Sequence, residues 1–232
     1  QVSFVSKNPL HLGMGSMSTF TGFFIYKILN KIHLSPFYHK CTIFLSAYIS
    51  INLAAFFTAL ELGIQPLLFV DNLGQPLYCP YPLWISIPAM ALSHLTIAGI
   101  AEGLFTLSLY LFILKTSPNI IYDSQQIKLN SIFSLLAFLI IISPLGLIAE
   151  GTAWGEWAPE EILNDTSSGV PLGFIPEKLL NGFNYEAFFP DYTMSGTTNI
   201  LAYIASAIIG VALLIIIFKI LGNIIYAKKQ SL

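Results

Sequence analysis

The stretch LNSIFSLLAFLIIISPLGLIA, residues 129–149, decides the fold class. It runs for a full bilayer thickness without an Asp, Glu or Lys, and about 20 such residues suffice for a helix to cross the hydrocarbon core. Similar runs recur at Asn8 to Tyr26, Cys41 to Leu60 and Tyr192 to Phe218. The run from Asn72 to Leu114 is interrupted only by Glu102 and is too long for one simple span. Pro80, Pro82 and Pro88 predict a lead-in segment or short interfacial helix there, with the span proper from about Met90 to Leu114. The reading is an all-α, polytopic membrane helix bundle of about five spans, near 9–29, 42–63, 90–114, 129–149 and 199–221.

Composition agrees. Only 9% of the 232 residues are charged against 55% hydrophobic, and a soluble domain carries about 25% charged residues. Mean hydropathy is +0.74. A net charge of −2 with no arginine leaves no basic face for phosphates, which excludes nucleic acid as a partner. Cys41 and Cys79 form no CxxC or zinc-type spacing and read as small apolar residues. The chain starts with Gln and shows no basic-then-apolar leader. The expectation is the C-terminal part of a longer polypeptide.

Charge sets the orientation. Lys27, Lys31, Lys40, Lys115, Lys128, Lys219, Lys228 and Lys229 all fall on one side of an alternating five-span topology. The positive-inside rule makes that side cytoplasmic. Glu150 to Thr198 carries eight of the twelve acids and one lysine, Lys178, and falls on the other side. The N-terminus is therefore expected outside and the C-terminus inside, in the plasma membrane. Three regions follow: 1–149 as membrane bundle, 150–198 as an outer cap, and 199–232 as a final span with a cytoplasmic tail. Trp154, Trp157, Phe174, Tyr185, Phe188 and Phe189 among Gly and Pro predict an ordered cap on the membrane surface, where aromatics favour the headgroup level. Asn164-Asp165-Thr166 fits a glycosylation triplet, a pattern that also arises by chance.

The third span holds the unusual groups. His94, Ala98, Glu102 and Thr106 fall at helical spacing on one slowly drifting face. Gly99 and Gly103, four apart, let another helix approach closely. An ionisable residue in a span is expensive and usually faces the bundle interior or a wet cavity. Glu102 reads either as a polar lining for a cation path or as a buried carboxyl held by neighbouring hydroxyls. His94 and His11 are weak candidates for a metal ligand, because His94 and Glu102 are about 12 Å apart along one helix, too far for one ion. His33 and His39 sit in the lysine-bearing connection and read as solvated. No catalytic motif, cofactor motif or phosphate loop is present, so the chain is expected to be neither an enzyme nor an ATPase.

His94-Leu-Thr-Ile-Ala-Gly99-Ile-Ala-Glu102-Gly-Leu-Phe-Thr106 resembles the His-xxxx-Gly-xx-Glu-xxx-Thr segment of the CbiM/NikM family, the substrate-capturing components of energy-coupling-factor importers for cobalt and nickel. Asn8-Pro-Leu-His-Leu-Gly13-Met14, then Phe20-Thr-Gly22 and Tyr26, is similar to that family's stretch opening a span. Ser143-Pro144-Leu-Gly-Leu with Gly151-Thr-Ala-Trp154-Gly155-Glu156-Trp157, Gly173-Phe-Ile-Pro176-Glu177, and Pro190-Asp191-Tyr192 with Gly196 are similar to its long, cobalt-type members. The resemblance implies capture of Co²⁺ or Ni²⁺ as substrate, with ATPase subunits and a transmembrane coupling protein as partners. It also implies that the main ligands, a Met-His N-terminus and a His early in the membrane region, lie outside these 232 residues. Alternatives from other classes are a structural subunit of a membrane complex and an intramembrane metal-dependent enzyme built on His94 and Glu102.

Overall fold

The computed structural model describes residues 4–31, 35–116, 129–148, 154–181, 194 and 196–230, with side chains from residue 17 to residue 224 except at 129. The elements are α1 (Phe4–Leu29), α2 (Pro36–Leu68), α3 (Leu83–Ser93), a π turn (His94–Ala98), α4 (Gly99–Thr116), α5 (Leu129–Ile142), a 3₁₀ turn (Ser143–Ile148), α6 (Pro159–Leu163), α7 (Glu177–Leu180) and α8 (Asn199–Gln230). Among the described residues the only β pairing is an isolated bridge, Val70 to Pro76. Among the described residues four helices are long and apolar enough to cross a membrane: Pro36–Leu68, Leu83–Thr116, Asn130–Ile148 and Asn199–Ile224. This is a multi-pass membrane protein. The first expected span, 9–29, falls within α1, a helix of 26 residues that is about 39 Å long at 1.5 Å per residue.

The chain divides into two compact units, residues 1–121 with 152–185, and residues 122–151 with 186–232. In the first, α2 is the hub and packs against α1, α3 and α4. Its buried residues are Thr42, Ile43, Ser46, Ala47, Ser50, Ala54, Ala55, Thr58, Ala59, Leu62 and Gly63. They recur at three- and four-residue steps, and nearly all are small. In lipid, small faces let helix backbones close up and gain dispersion contact that lipid tails cannot better. Proline at the first turn suits the start of α2, where the missing N–H has no helical acceptor anyway. In the second unit α5, the 3₁₀ turn and α8 pack together.

The proline-rich lead-in is not a separate interfacial helix. Helix begins at Leu83, just after Pro82, and runs through Pro88 and Met90 without a break. Pro88 costs one backbone hydrogen bond, yet the segment is held on both sides of it. Ser86, fully buried, donates to the Ala59 carbonyl at 2.8 Å, and Met90 packs on Ala55 and Ala59.

The π turn explains how one continuous helix keeps α2 as its neighbour throughout. Ser86 and Met90 face α2 above the turn. Gly99 and Gly103 face it below, because a Cβ on Gly99 would lie 2.9 Å from the Tyr48 ring and one on Gly103 2.6 Å from the Phe44 ring. Met90 and Gly99 are nine residues apart, which in an unbroken α-helix puts them about 180° apart. The π turn inserts one surplus residue, about 100° of rotation, and swings the glycines back toward α2. Its backbone closes by the Gly99 N–H donating to the His94 carbonyl, and the Tyr48 hydroxyl donates to the Leu95 carbonyl at 2.9 Å. The close helix approach expected at Gly99 and Gly103 is thus realised, with α2 as the partner.

Candidate functional site

Three helices of the first unit line an open cavity of about 550 Å³. Its walls are Ser18, Thr19, Gly22, Phe23 and Tyr26 from α1; Ile43, Ser46, Ala47 and Ser50 from α2; and Glu102, Thr106 and Tyr110 from α4. The small residues of α1 and α2 create the room, since Gly22 lies so close that a Cβ there would meet Ser50 Oγ at 3.2 Å. Glu102 and Thr106 follow from the same register that points Gly99 and Gly103 at α2. With the glycine edge against its neighbour, the adjacent edge of α4 overhangs the groove between α1 and α2.

Glu102 is not buried within helix packing, one of the two environments the sequence suggested. It is exposed on the cavity wall. Thr106 Oγ1 donates to its Oε1 at 3.4 Å, a long hydrogen bond. Hydroxyl protons nearby are turned into the protein. Ser46 donates to the Thr42 carbonyl at 2.7 Å, Ser50 to the Ala47 carbonyl at 2.9 Å, and Ser18 Oγ lies 3.5 Å from Ser50 Oγ.

His39 packs against Tyr26 and Tyr110, two of the lining residues. Its Nδ1 lies 3.0 Å from Asn30 Oδ1 and its Nε2 3.1 Å from the Tyr110 hydroxyl. With Asn30 Oδ1 as acceptor, Nδ1 is the donor in the first of these contacts. The ring also meets Tyr26 and Tyr110 edge-on, with centroids 5.9 and 5.6 Å apart. His39 therefore ties α1, α2 and α4 together and is not the freely solvated residue its lysine-rich neighbourhood suggested. That role was invisible in sequence because Tyr110 is 71 residues away.

His94 does not join Glu102 and Thr106. It is outside the cavity lining, about 12 Å from Glu102 along the helix axis. Its Nδ1 donates to the Met90 carbonyl at 2.9 Å, with Ser93 Oγ at 3.2 Å. The side chain of His11 and all of His33 lie outside the described residues. Among the described residues no three His, Cys, Asp or Glu side chains converge to hold a metal ion.

At the far end of α2 the cap forms a second constellation. Tyr81, 1% exposed, packs with Leu62, Cys79 and Ile85 beneath Trp154 and Trp157. The two indole rings meet edge-on with centroids 5.1 Å apart. Thus Trp154 and Trp157 pack inward over α2 and do not lie flat as a headgroup belt. Gly155, at φ +94°, allows this turn, and a Cβ there would meet Leu62 at 2.9 Å. Asp165 holds the group together. It accepts from the Tyr81 hydroxyl in a very short hydrogen bond, from Trp157 Nε1 at 3.0 Å and from the Ser167 N–H at 2.9 Å. Trp154 Nε1 donates to Ser167 Oγ at 2.9 Å. Burial works against the Asp165 carboxylate, but hydrogen bonds from Ser167, Tyr81 and Trp157 outweigh it and hold the carboxyl below its usual range. Burial pushes the Cys79 thiol up to about 12, so it is an inert packing group. Phe174 is half-buried, whereas Tyr185, Phe188 and Phe189 lie outside the described residues.

Comparison with known proteins places this architecture. Residues 11–120 match the family CbiM, described as the cobalt uptake substrate-specific transmembrane region. Residues 129–227 match a second family, the PDGLE domain. The chain is 36% identical over 209 residues to a probable fused nickel transport protein, LarMN, of Lactiplantibacillus plantarum, covering 90% of this chain and 62% of that one. It is 38% identical over 186 residues to the fused nickel transport protein NikMN of Rhodobacter capsulatus, covering 74% and 54%. An uncharacterized protein of Methanocaldococcus jannaschii is 32% identical over 104 residues, 42% of this chain and 88% of its own. The chain therefore spans a little over half the length of the two fused transport proteins. On these grounds the chain belongs to the CbiM/NikM family, with a PDGLE domain following its CbiM region.

Proposed function

We propose that the chain is part of the substrate-binding membrane subunit of an importer for Co²⁺ or Ni²⁺, energised by separate ATPase subunits through a transmembrane coupling protein. The observation that carries the reading is the continuous CbiM match from residue 11 to residue 120, laid over a bundle in which the carboxyl of Glu102, within the third expected span, lines a cavity. Relatives named as nickel transport proteins support the cargo. The reading assigns no catalytic residue and no resident cofactor to the chain. The metal ion is substrate, selected by nitrogen ligands and their geometry. The lysine distribution supports an N-terminus outside, a C-terminus in the cytoplasm, and a cap on the outer face of the plasma membrane.

The test is radiotracer accumulation of Co²⁺ and Ni²⁺ in cells expressing the full protein with its ATPase and coupling subunits. The expected result is energy-dependent accumulation that is lost when the ATPase is inactivated. Accumulation that is indifferent to the ATPase would overturn the coupling, and none of either metal would overturn the cargo.

A further inference from the structure

The cavity between α1, α2 and α4 has a chemical polarity that its residue list conceals. Serine and threonine can donate or accept, but at Ser46, Ser50 and Thr106 the protons are already used. Ser46 and Ser50 give theirs to backbone carbonyls one turn back, at 2.7 and 2.9 Å. Since Ser50 is the donor in that bond, the 3.5 Å contact leaves Ser18 donating to Ser50. Thr106 donates to Glu102. What remains for an occupant at Ser46, Ser50 and Glu102 is oxygen lone pairs. These oxygens, set in an otherwise largely apolar wall, disfavour anions and other acceptors and complement a particle whose whole surface consists of donors.

A fully hydrated divalent cation is such a particle, because its inner shell turns O–H bonds outward in all directions. Six waters at about 30 Å³ each take about 180 Å³, and the cavity offers about 550 Å³. Hydroxyl and carboxylate oxygens without imidazole or thiolate make a poor inner-sphere site for Co²⁺ or Ni²⁺, which favour nitrogen. An ion here would therefore keep its water and be held through it. We infer that this cavity is an outer-sphere transit site, in which Glu102, Ser46 and Ser50 hold a hexahydrated metal ion by its water shell. The identity of the ion rests on the proposed role in metal uptake; the acceptor wall does not.

Hexaamminecobalt(III) is the probe. It has the size and donor surface of a hydrated ion and does not exchange its inner shell. Binding is measured by equilibrium dialysis against the full protein in nanodiscs of zwitterionic lipid. The wild type should bind saturably. Glu102→Gln should weaken binding at least about tenfold and Glu102→Asp by about threefold or less. The double change Ser46→Ala with Ser50→Ala, which removes acceptors without touching the carboxyl, should weaken it about three- to tenfold. Thermal melting of each variant within a few degrees of wild type certifies the fold; if Glu102→Gln fails it, the serine pair decides. Undiminished binding by the folded variants, or no binding by the wild type, overturns the site. Loss of tracer uptake by the wild-type assembly would instead strike the importer reading and leave this binding result standing.

Discussion

Replacing Asp165 by Ala tests whether the cap is held by one carboxylate. The side chain accepts from Tyr81, Trp157 and Ser167. Its removal strands the hydroxyl of a residue only 1% exposed and the indole N–H of a half-buried one. A buried donor left without a partner costs about 1–3 kcal/mol. Two moderate the loss: Tyr81 retains the Asp165 backbone carbonyl at 3.4 Å, and water reaches part of Trp157. About 2–4 kcal/mol remains, which multiplies the open fraction of the cap about 30- to 900-fold. Lys178 is the one lysine in the cap segment 152–185 of this arginine-free chain. Its N–H donates to the Leu77 carbonyl at 3.0 Å, so trypsin reaches it through an opened cap. Cleavage after Lys178, followed by mass spectrometry on protein in nanodiscs, should accelerate in that range when opening is fast relative to cutting. Asp165→Asn, which keeps one acceptor oxygen, should accelerate it less. A rate within twofold of wild type for Asp165→Ala would refute the clamp.

Four further outcomes are expected. Because the folded pKa of Asp165 lies below its ordinary value of 3.8, its stabilisation is complete above that value and is lost as pH falls through the lower, folded one; tryptophan emission should report cap release only under such acid conditions and not between pH 5 and 8. Gly103→Leu drives a side chain into the Phe44 ring, 2.6 Å from where its Cβ would sit, and should destabilise the bundle by about 1–3 kcal/mol in thermal melts while Gly210→Leu, in open space, does not. Tyr48→Phe removes the donor to the Leu95 carbonyl and should cost about 1 kcal/mol in thermal melts, with faster amide exchange confined to residues 94–99. Ser168→Cys, at an exposed cap position, should react with an impermeant maleimide on intact cells; labelling only after permeabilisation would reverse the proposed orientation.

The spans were legible because charge is the costliest thing to place in lipid, and uncharged runs of bilayer length cannot hide. Glu102 was legible for the same reason, as the single exception within its run. The π turn was not, since one surplus residue changes neither composition nor hydropathy, only the direction in which everything after it points. By angle it brings His94 nearer to Glu102 and Thr106; what keeps His94 apart from Glu102 is about 12 Å along the helix axis. His39 and Asp165 were missed for a different reason. Their partners are distant in sequence, Tyr110 for one and Tyr81 for the other, so each was read from its neighbours: lysines for His39, a modification triplet for Asp165. The Trp pair was recognised as order-making, but its direction depends on Gly155 and a left-handed turn over Leu62.

The surplus residue of the π turn also makes the third span a screw with two independent halves. A π turn is not tied to its place by covalent structure; it can be handed along a helix by exchanging carbonyl partners one peptide at a time, with little net change in hydrogen bonding. Were it passed from residues 94–98 toward the Thr116 end, every side chain it crossed would turn by about 100° about the helix axis, while the segment from Leu83 to Ser93 stayed seated on α2. Glu102 would leave the cavity wall without any loop moving and without any helix tilting. What sets the resistance to that motion is local and countable: the Tyr48 hydroxyl on the Leu95 carbonyl and the two glycine faces against Tyr48 and Phe44.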